Sequence, residues 1–258
     1  MDYKTIRQAA NLSKADLHIH SNYSDGRPTI NEILDYVENK TSLDAIAISD
    51  HNTIEGALEA QSIAKEKKLS FEIIVGEEIS TNKGHILALY LKKAIKPGMS
   101  VGETLKEIHT QHGIAIAPHP FQYTRLKSPK MAVMNGIGLK YLVKEKDGLD
   151  AIETVNGTPT LTDENIKAKF INSTILLCGE TGSSDAHILE AIGKGYTLYE
   201  GKSARDLKKA LRSHQTKAMS SRWTLFALLK YLFFFIPIGL RLAFYTLLHG
   251  RAEKEPLL

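Results

Sequence analysis

The stretch Asp16-Leu-His18-Ile-His20-Ser-Asn-Tyr-Ser-Asp25-Gly26 sets a carboxylate and two imidazoles at i, i+2 and i+4. In a strand, alternation places all three on one face, and the two imidazoles lie about 6–7 Å apart along it, close enough to converge on one cation. A turn at Ser24-Asp25-Gly26 can fold a further carboxylate over that cation. A lone His-x-His is more often a pair of satisfied core residues, so the metal reading needs support from elsewhere in the chain.

Four further stretches supply it. Ile46-Ala-Ile-Ser-Asp50-His51-Asn52 is an apolar run ending abruptly in polar residues, with His51 a metal candidate and Asp50 a support or helix cap. Ile74-Val-Gly76-Glu77-Glu78 carries an acidic pair at the end of another apolar run, costly to bury unless a cation or donors receive it, and His85 opens the next run. Ala115-Ile-Ala-Pro118-His119-Pro120 and Ser184-Asp185-Ala-His187 repeat the arrangement. Six of the ten histidines thus sit at strand ends or adjacent turns, which core packing explains for one or two, not six.

The elements that must position these groups are legible from periodicity. Residues 15–19, 45–49, 71–75, 85–90, 114–117, 149–154, 174–178 and 195–199 read as short apolar strands. Between them Thr29–Lys40 reads as a helix with Thr29 and Glu32 as a capping box, and helices are also expected over 53–67, 101–112, 162–172 and 203–214. Repeated βα units imply a parallel sheet, open or closed into a barrel, whose sites lie at the carboxyl ends of the strands. Residues 125–148, with Pro129 and Asn135-Gly136, read as an excursion beside the site entrance.

In this order, His18-x-His20 with Ser-Asp25-Gly26, Ser-Asp50-His51, Gly76-x-Glu78, Gly84-His85, Pro118-His119-Pro120 and Ser184-Asp185-x-His187, the sequence resembles the PHP (polymerase and histidinol phosphatase) family over about residues 14–200. The resemblance implies an α/β fold, a distorted (β/α)7 TIM-like barrel, here followed by an apolar helical tail. It implies metal ligation by His18, His20, Asp25, His51, Glu78, His85, His119, Asp185 and His187, with two or three divalent ions such as Zn, Mn or Fe. Glu78 would bridge two of them, and the family spacing prefers it to Glu77. His18, His20, Glu78 and Asp185 are the expected catalytic centre. Arg125 or Arg27 is a candidate clamp on the phosphate.

An all-nitrogen-and-oxygen site suits hydrolysis of a phosphate ester by a metal-activated hydroxide. The expected enzyme is a phosphatase or phosphodiesterase acting on a small phosphorylated substrate. Alternatives are a nuclease or exonuclease on oligonucleotides and a non-catalytic metal-binding membrane module. The single Cys178 excludes an internal disulfide and a thiolate zinc site.

Charge is unevenly spread. Residues 201–258 hold 11 of the 33 Lys/Arg but 3 of the 29 Asp/Glu, so this part carries +8 and residues 1–200 carry −4. An acidic first part argues against a broad nucleic-acid face there. Residues 223–248 are strongly apolar, interrupted by Lys230, Pro237 and Arg241, with ten residues between the two charges, whereas a spanning helix needs about 20 apolar residues. Three readings arise: a span with snorkelling charges, an interfacial segment, or helices packed on the barrel or a second subunit. The basic flank favours a membrane surface contacted through residues 202–248. The expected organisation is a PHP domain over 1–200, a basic linker and helix over 201–222, an apolar membrane-associated segment over 223–248 and a polar tail over 249–258. With no apolar leader at the start, the expected location is cytoplasmic, at the inner face of the membrane.

Overall fold

A computed structural model describes residues 12–122 and 136–249. Strand β2 (Ala45–Ile48) shows how the chain divides its core. Its four residues are all buried, as expected of a parallel strand covered on both faces. Ala45 and Ala47 join one cluster with Ala15, Leu17, Leu87 and Ile116. Ile46 and Ile48 join another, with Ile33, Leu34 and Val37 of helix α1 (Ile30–Lys40). The first cluster is the inside of a barrel, where small residues fit. The second is the layer between sheet and helices.

Strands β1 (Leu12–Ile19), β2 and β3 (Glu72–Thr81) run parallel, with α1 and α2 (Glu55–Lys67) as their crossovers. A tight turn after β3 leads straight into β4 (Gly84–Leu89), antiparallel to it and to β5 (Ile114–Ala117). Helices α3 (Val101–Thr110) and α4 (Gly138–Lys144) flank β5 in sequence. Parallel order then resumes with β6 (Ala151–Asn156), α5 (Thr162–Ile171) and β7 (Gly179–Ser183). The barrel closes where the chain beyond β7 meets the end of β1, through His20 N–H to Ala186 O at 2.9 Å and Ala186 N–H to His18 O at 3.2 Å. The result is the expected TIM-like α/β barrel, modified by one antiparallel stave.

Two further strands extend the sheet. β8 (Gly195–Glu200) lies antiparallel to β1, and β9 (Thr216–Ser220), in the basic stretch, lies antiparallel to β8. Between them α6 (Ala204–Arg212), opened by a Ser203–Asp206 capping box, plugs the barrel end opposite the carboxyl ends of the parallel strands with Leu207 and Leu211.

Three expectations change. The strand expected over 174–178 is instead a π-helical continuation of α5, Asn172–Leu176, in which Ile175 is exposed, as is Leu177 just beyond it. The actual strand, β7, is Gly-Glu-Thr-Gly-Ser, with nothing apolar to announce it. The basic run of 202–222 does not form one membrane-facing patch. Lys208 stacks over Tyr90 and Arg212 donates to His112 O, both at the plugged end of the barrel. Finally, the apolar tail is one helix, α7 (Leu225–His249), with Pro237 inside it. No helix among the described residues is long and apolar enough to cross a membrane, so the spanning reading of 223–248 is not met.

Leu87 lies inside the barrel directly opposite Glu78 in the β3–β4 register. Leu87→Ala is expected to cost about 2–5 kcal/mol in urea denaturation, whereas Ile166→Ala, 66% exposed, should stay within about 0.5 kcal/mol.

Candidate metal centre

Every one of the nine candidate ligands reaches one end of the barrel. His18 and His20 come from the end of β1, His51 follows β2, Glu78 lies within β3, and His85 opens the antiparallel β4. His119 follows β5, and Asp185 and His187 follow β7. Asp25 arrives from the turn between β1 and α1. That turn is pressed against the backbone, since a Cβ at Gly26 would lie 2.4 Å from His20 O. Glycine is required there.

Glu78 is the hub. Its Oε1 lies 2.8 Å from His85 Nδ1 and 2.9 Å from His119 Nε2. Its Oε2 lies 3.2 Å from His18 Nε2 and 3.3 Å from both His20 Nε2 and His51 Nδ1. Asp185 Oδ1 faces His20 Nε2 at 3.4 Å and His18 Nε2 at 3.7 Å. Asp25, its side chain 38% exposed, faces His187 Nε2 at 3.2 Å. Four overlapping triads of ligand atoms result: His18–Glu78–His119, His18–His20–Asp185, His20–Asp25–His187 and His20–His51–Glu78.

The donor chemistry fits divalent cations. Nε2 of His18, His20, His51 and His187 and Nδ1 of His119 are buried without a hydrogen-bond partner. Such orphaned nitrogens are costly unless something receives them. The charges point the same way. Burial opposes the charge of His18, yet Asp185 and Glu78 hold its pKa well above the ordinary histidine value. His20 overcomes burial through the same two carboxylates and rises to about 10. At His51 burial prevails and the pKa falls to about 4. Burial alone would raise Glu78 and Asp185. The imidazoles of His51, His85 and His18 hold the first well below the carboxylate range, and those of His18, His20 and His187 do so for the second. The cluster therefore demands positive charge at its centre, and neutral imidazoles with a divalent ion between them satisfy it without protons.

The neighbouring carboxylates separate cleanly. Glu77 points away, accepts Ile95 N–H at 2.9 Å, and is pushed up by burial to about 7. Asp50 accepts Ser21 N–H and Oγ–H at 2.7 Å and Ser24 Oγ–H at 2.6 Å, so it braces the turn that carries Asp25. Asp16 does not share the face of His18 and His20. The β1–β2 register slips between Asp16 and Ile19, and the Asp16 carboxylate accepts Ser184 N–H at 2.9 Å and Gly193 N–H at 2.8 Å. Arg27 is exposed at the mouth, its guanidinium 5.9 Å from the Phe234 ring. Arg125 lies outside the described residues.

Sequence reading missed Glu153. It is fully buried on β6, with Oε1 3.4 Å from His18 Nδ1, and Oε2 accepts His119 N–H at 2.8 Å and Asn156 Nδ2–H at 2.9 Å. One carboxylate thereby orients two candidate ligands. A glutamate inside an apolar strand was the available signal. Its hold on His119 matters, because His119 and Asp185 both adopt positive φ, 26° and 53°, conformations that non-glycine residues keep only when their surroundings enforce them. Asn156 also donates to Asp185 Oδ2 at 3.2 Å.

The sequence matches the family model of the PHP domain over residues 16–214. It is 41% identical over 118 residues to an uncharacterized protein of Methanocaldococcus jannaschii, covering 42% of this chain and 68% of that one. It is also 34% identical over 107 residues to the 5'-3' exoribonuclease of Haemophilus influenzae, covering 40% of this chain but 38% of that enzyme. Among solved structures, a two-domain protein of Bacteroides vulgatus containing a predicted PHP-like metal-dependent phosphoesterase superposes with a TM-score of 0.62 at 20% identity, over 81% of this chain and 65% of that one. The lesion-specific endonuclease EndoQ of Pyrococcus furiosus superposes with a TM-score of 0.51 at 14% identity, over 81% and 58%. At these identities the structures support the barrel fold.

Glu153→Gln keeps the size of the side chain and removes its charge. It is expected to weaken binding of Mn2+ or Zn2+ about 10–100-fold by isothermal titration calorimetry, with an unchanged far-ultraviolet circular dichroism spectrum. An unaltered affinity would show that Glu153 only fills space.

Proposed function

The chain belongs to the PHP domain family of metal-dependent phosphoesterases, and from that premise we propose that its nine-residue cluster holds two or three divalent ions and hydrolyses a phosphate ester of a small phosphorylated substrate. The observation that carries the reading is Glu78, a carboxylate ringed by five imidazoles, several of whose nitrogens have no other partner. In this reading Glu78 would be shared between ions, with His18, His20 and Asp185 helping to hold one side, and Asp25, His51, His85, His119 and His187 would hold the rest. Ions of the Zn, Mn or Fe type, when bound, would supply an activated water near neutral pH and neutralise charge on the phosphoryl group.

The chain's own residues do the remainder. Glu153 fixes the orientation of His18 and the backbone of His119, and Asn156 ties that carboxylate to Asp185. Asp50 holds the turn bearing Asp25 over the site. Arg27, on the rim beside that turn, is the described cation best placed to meet a phosphate oxygen. A second reading, cleavage of oligonucleotide diesters, is supported by the similarity to the exoribonuclease, which spans well under half of that enzyme.

The test is a panel of phosphomonoesters, phosphodiesters and short oligonucleotides offered to the metal-loaded protein. Chelation should abolish hydrolysis and Mn2+ or Zn2+ should restore it. His18→Ala should lower kcat/KM at least about a hundredfold and reduce metal content. Preference for oligonucleotides over monoesters would favour the second reading. Two or more bound ions with no hydrolysis of any ester would sink both.

A further inference from the structure

An apolar stripe lies uncovered along α7. Phe226, Leu229, Phe233, Ile236, Leu240 and Phe244 recur every three or four residues and so share one helix face. Each is more than half exposed. The helix is 25 residues long, or about 37 Å at the α-helical rise. Scattered exposed apolar residues are ordinary, whereas a continuous stripe of this length is an interaction surface.

The opposite face of the first half is already occupied. Ala227 and Tyr231 are buried. Phe234 and Phe235 set their ring centroids 6.4 and 6.2 Å from that of His187. Trp223, just before the helix, donates Nε1–H to Gly157 O at 2.9 Å. The helix is therefore a wall of the metal-site mouth, with its apolar stripe facing outward.

Charge decides what covers the stripe. Residues 225–249 contain Lys230 and Arg241 and no Asp or Glu. Basic groups flank the start of the helix: Lys194 lies over the Trp223 ring at 5.8 Å, Arg222 is exposed, and Arg27 approaches Phe234. Lys230 is already paired with Glu190, so the charge left for a partner is this basic flank, which a second copy would only repeat. Anionic lipid headgroups supply the missing sign. Because the face opposite the stripe packs on the barrel along the first half of the helix, the helix would lie in the plane of the interface.

We propose that α7 docks on an anionic lipid surface, its apolar stripe in the acyl boundary, and that the metal site, on the barrel side of the helix, is thereby held next to that surface. The first half of this statement is independent of any activity. The second rests on the phosphoesterase reading and makes esters carried on lipid the favoured substrate class.

The experiment is flotation of the full-length, detergent-free protein with vesicles of phosphatidylcholine, with and without about one third phosphatidylserine. The wild-type protein should float with the anionic vesicles and lose most of that binding in high salt. The double variant Leu229→Glu/Phe233→Glu, at exposed positions, should reduce partitioning about tenfold or more while keeping its thermal melt and metal content. Phe244→Glu, remote from the barrel contact, should reduce it as well. Absence of wild-type flotation with anionic vesicles would overturn the proposal. So would a dimer by light scattering that the double variant dissociates, if neither form binds vesicles. Vesicle binding without hydrolysis of any ester would retain the docking surface and count against the enzyme reading instead.

Discussion

Glu78 is a carboxylate with 1% exposure in the middle of a protein, and the rest of the structure answers the problem that this creates. Burying an uncompensated carboxylate costs several kcal/mol or forces it to take up a proton. Here five imidazoles from four strands and the adjoining turns surround it instead. Those imidazoles are in turn desolvated, and most have a nitrogen with nothing to bind. An apolar replacement of similar volume would be the more stable solution. Stability alone is therefore a poor account of so many polar groups, and a cation-binding role is the better one.

A barrel is well suited to that task. Parallel strands bring their carboxyl ends to a single rim, so residues from 18 to 187 meet although they are far apart in sequence. The antiparallel β4 is the informative departure. Reversing one stave lets the first residues of a strand, His85, face the same rim as the ends of the others. Further out, Glu153, Asn156 and Asp50 lock the ligands and the turns that bear them. At the opposite end, Leu207 and Leu211 of α6 close the interior. At the rim itself, α7 contributes aromatic rings beside His187.

Much of this was legible in the order of residues. His18 and His20 end one apolar run and His51 and His119 follow others, the position where an α/β fold places its sites, whereas Asp185 and His187 follow the polar β7 and stand out only by their own Asp-x-His spacing. The choice of Glu78 over Glu77 rested on family spacing, and the structure turns Glu77 to Ile95 N–H. Other features depend on contacts that no local pattern carries. The register slip in β1 turns Asp16 from the face that strict alternation assigns it. β7 is built of glycine and polar residues because Gly182 packs against the backbone of Tyr196 and Met219, where a Cβ would lie 2.4 Å from Tyr196 O. Glu153 within an apolar strand signals that something polar must receive it, but only the fold shows that His18 and His119 do. The helix at 225–249 is apolar all round as a sequence, so only the fold reveals which face meets the barrel and which is left open.

The central claim is that Glu78 sits between cations rather than among protonated histidines. Diffraction from crystals grown with Mn2+, recorded on both sides of the manganese absorption edge, tests it directly. Anomalous peaks should flank the Glu78 carboxylate, one near Oε1 with His85 or His119 and one near Oε2 with His18 or His20. Fully occupied crystals with no peak at Glu78, or with its carboxylate swung away to another partner, would contradict the account.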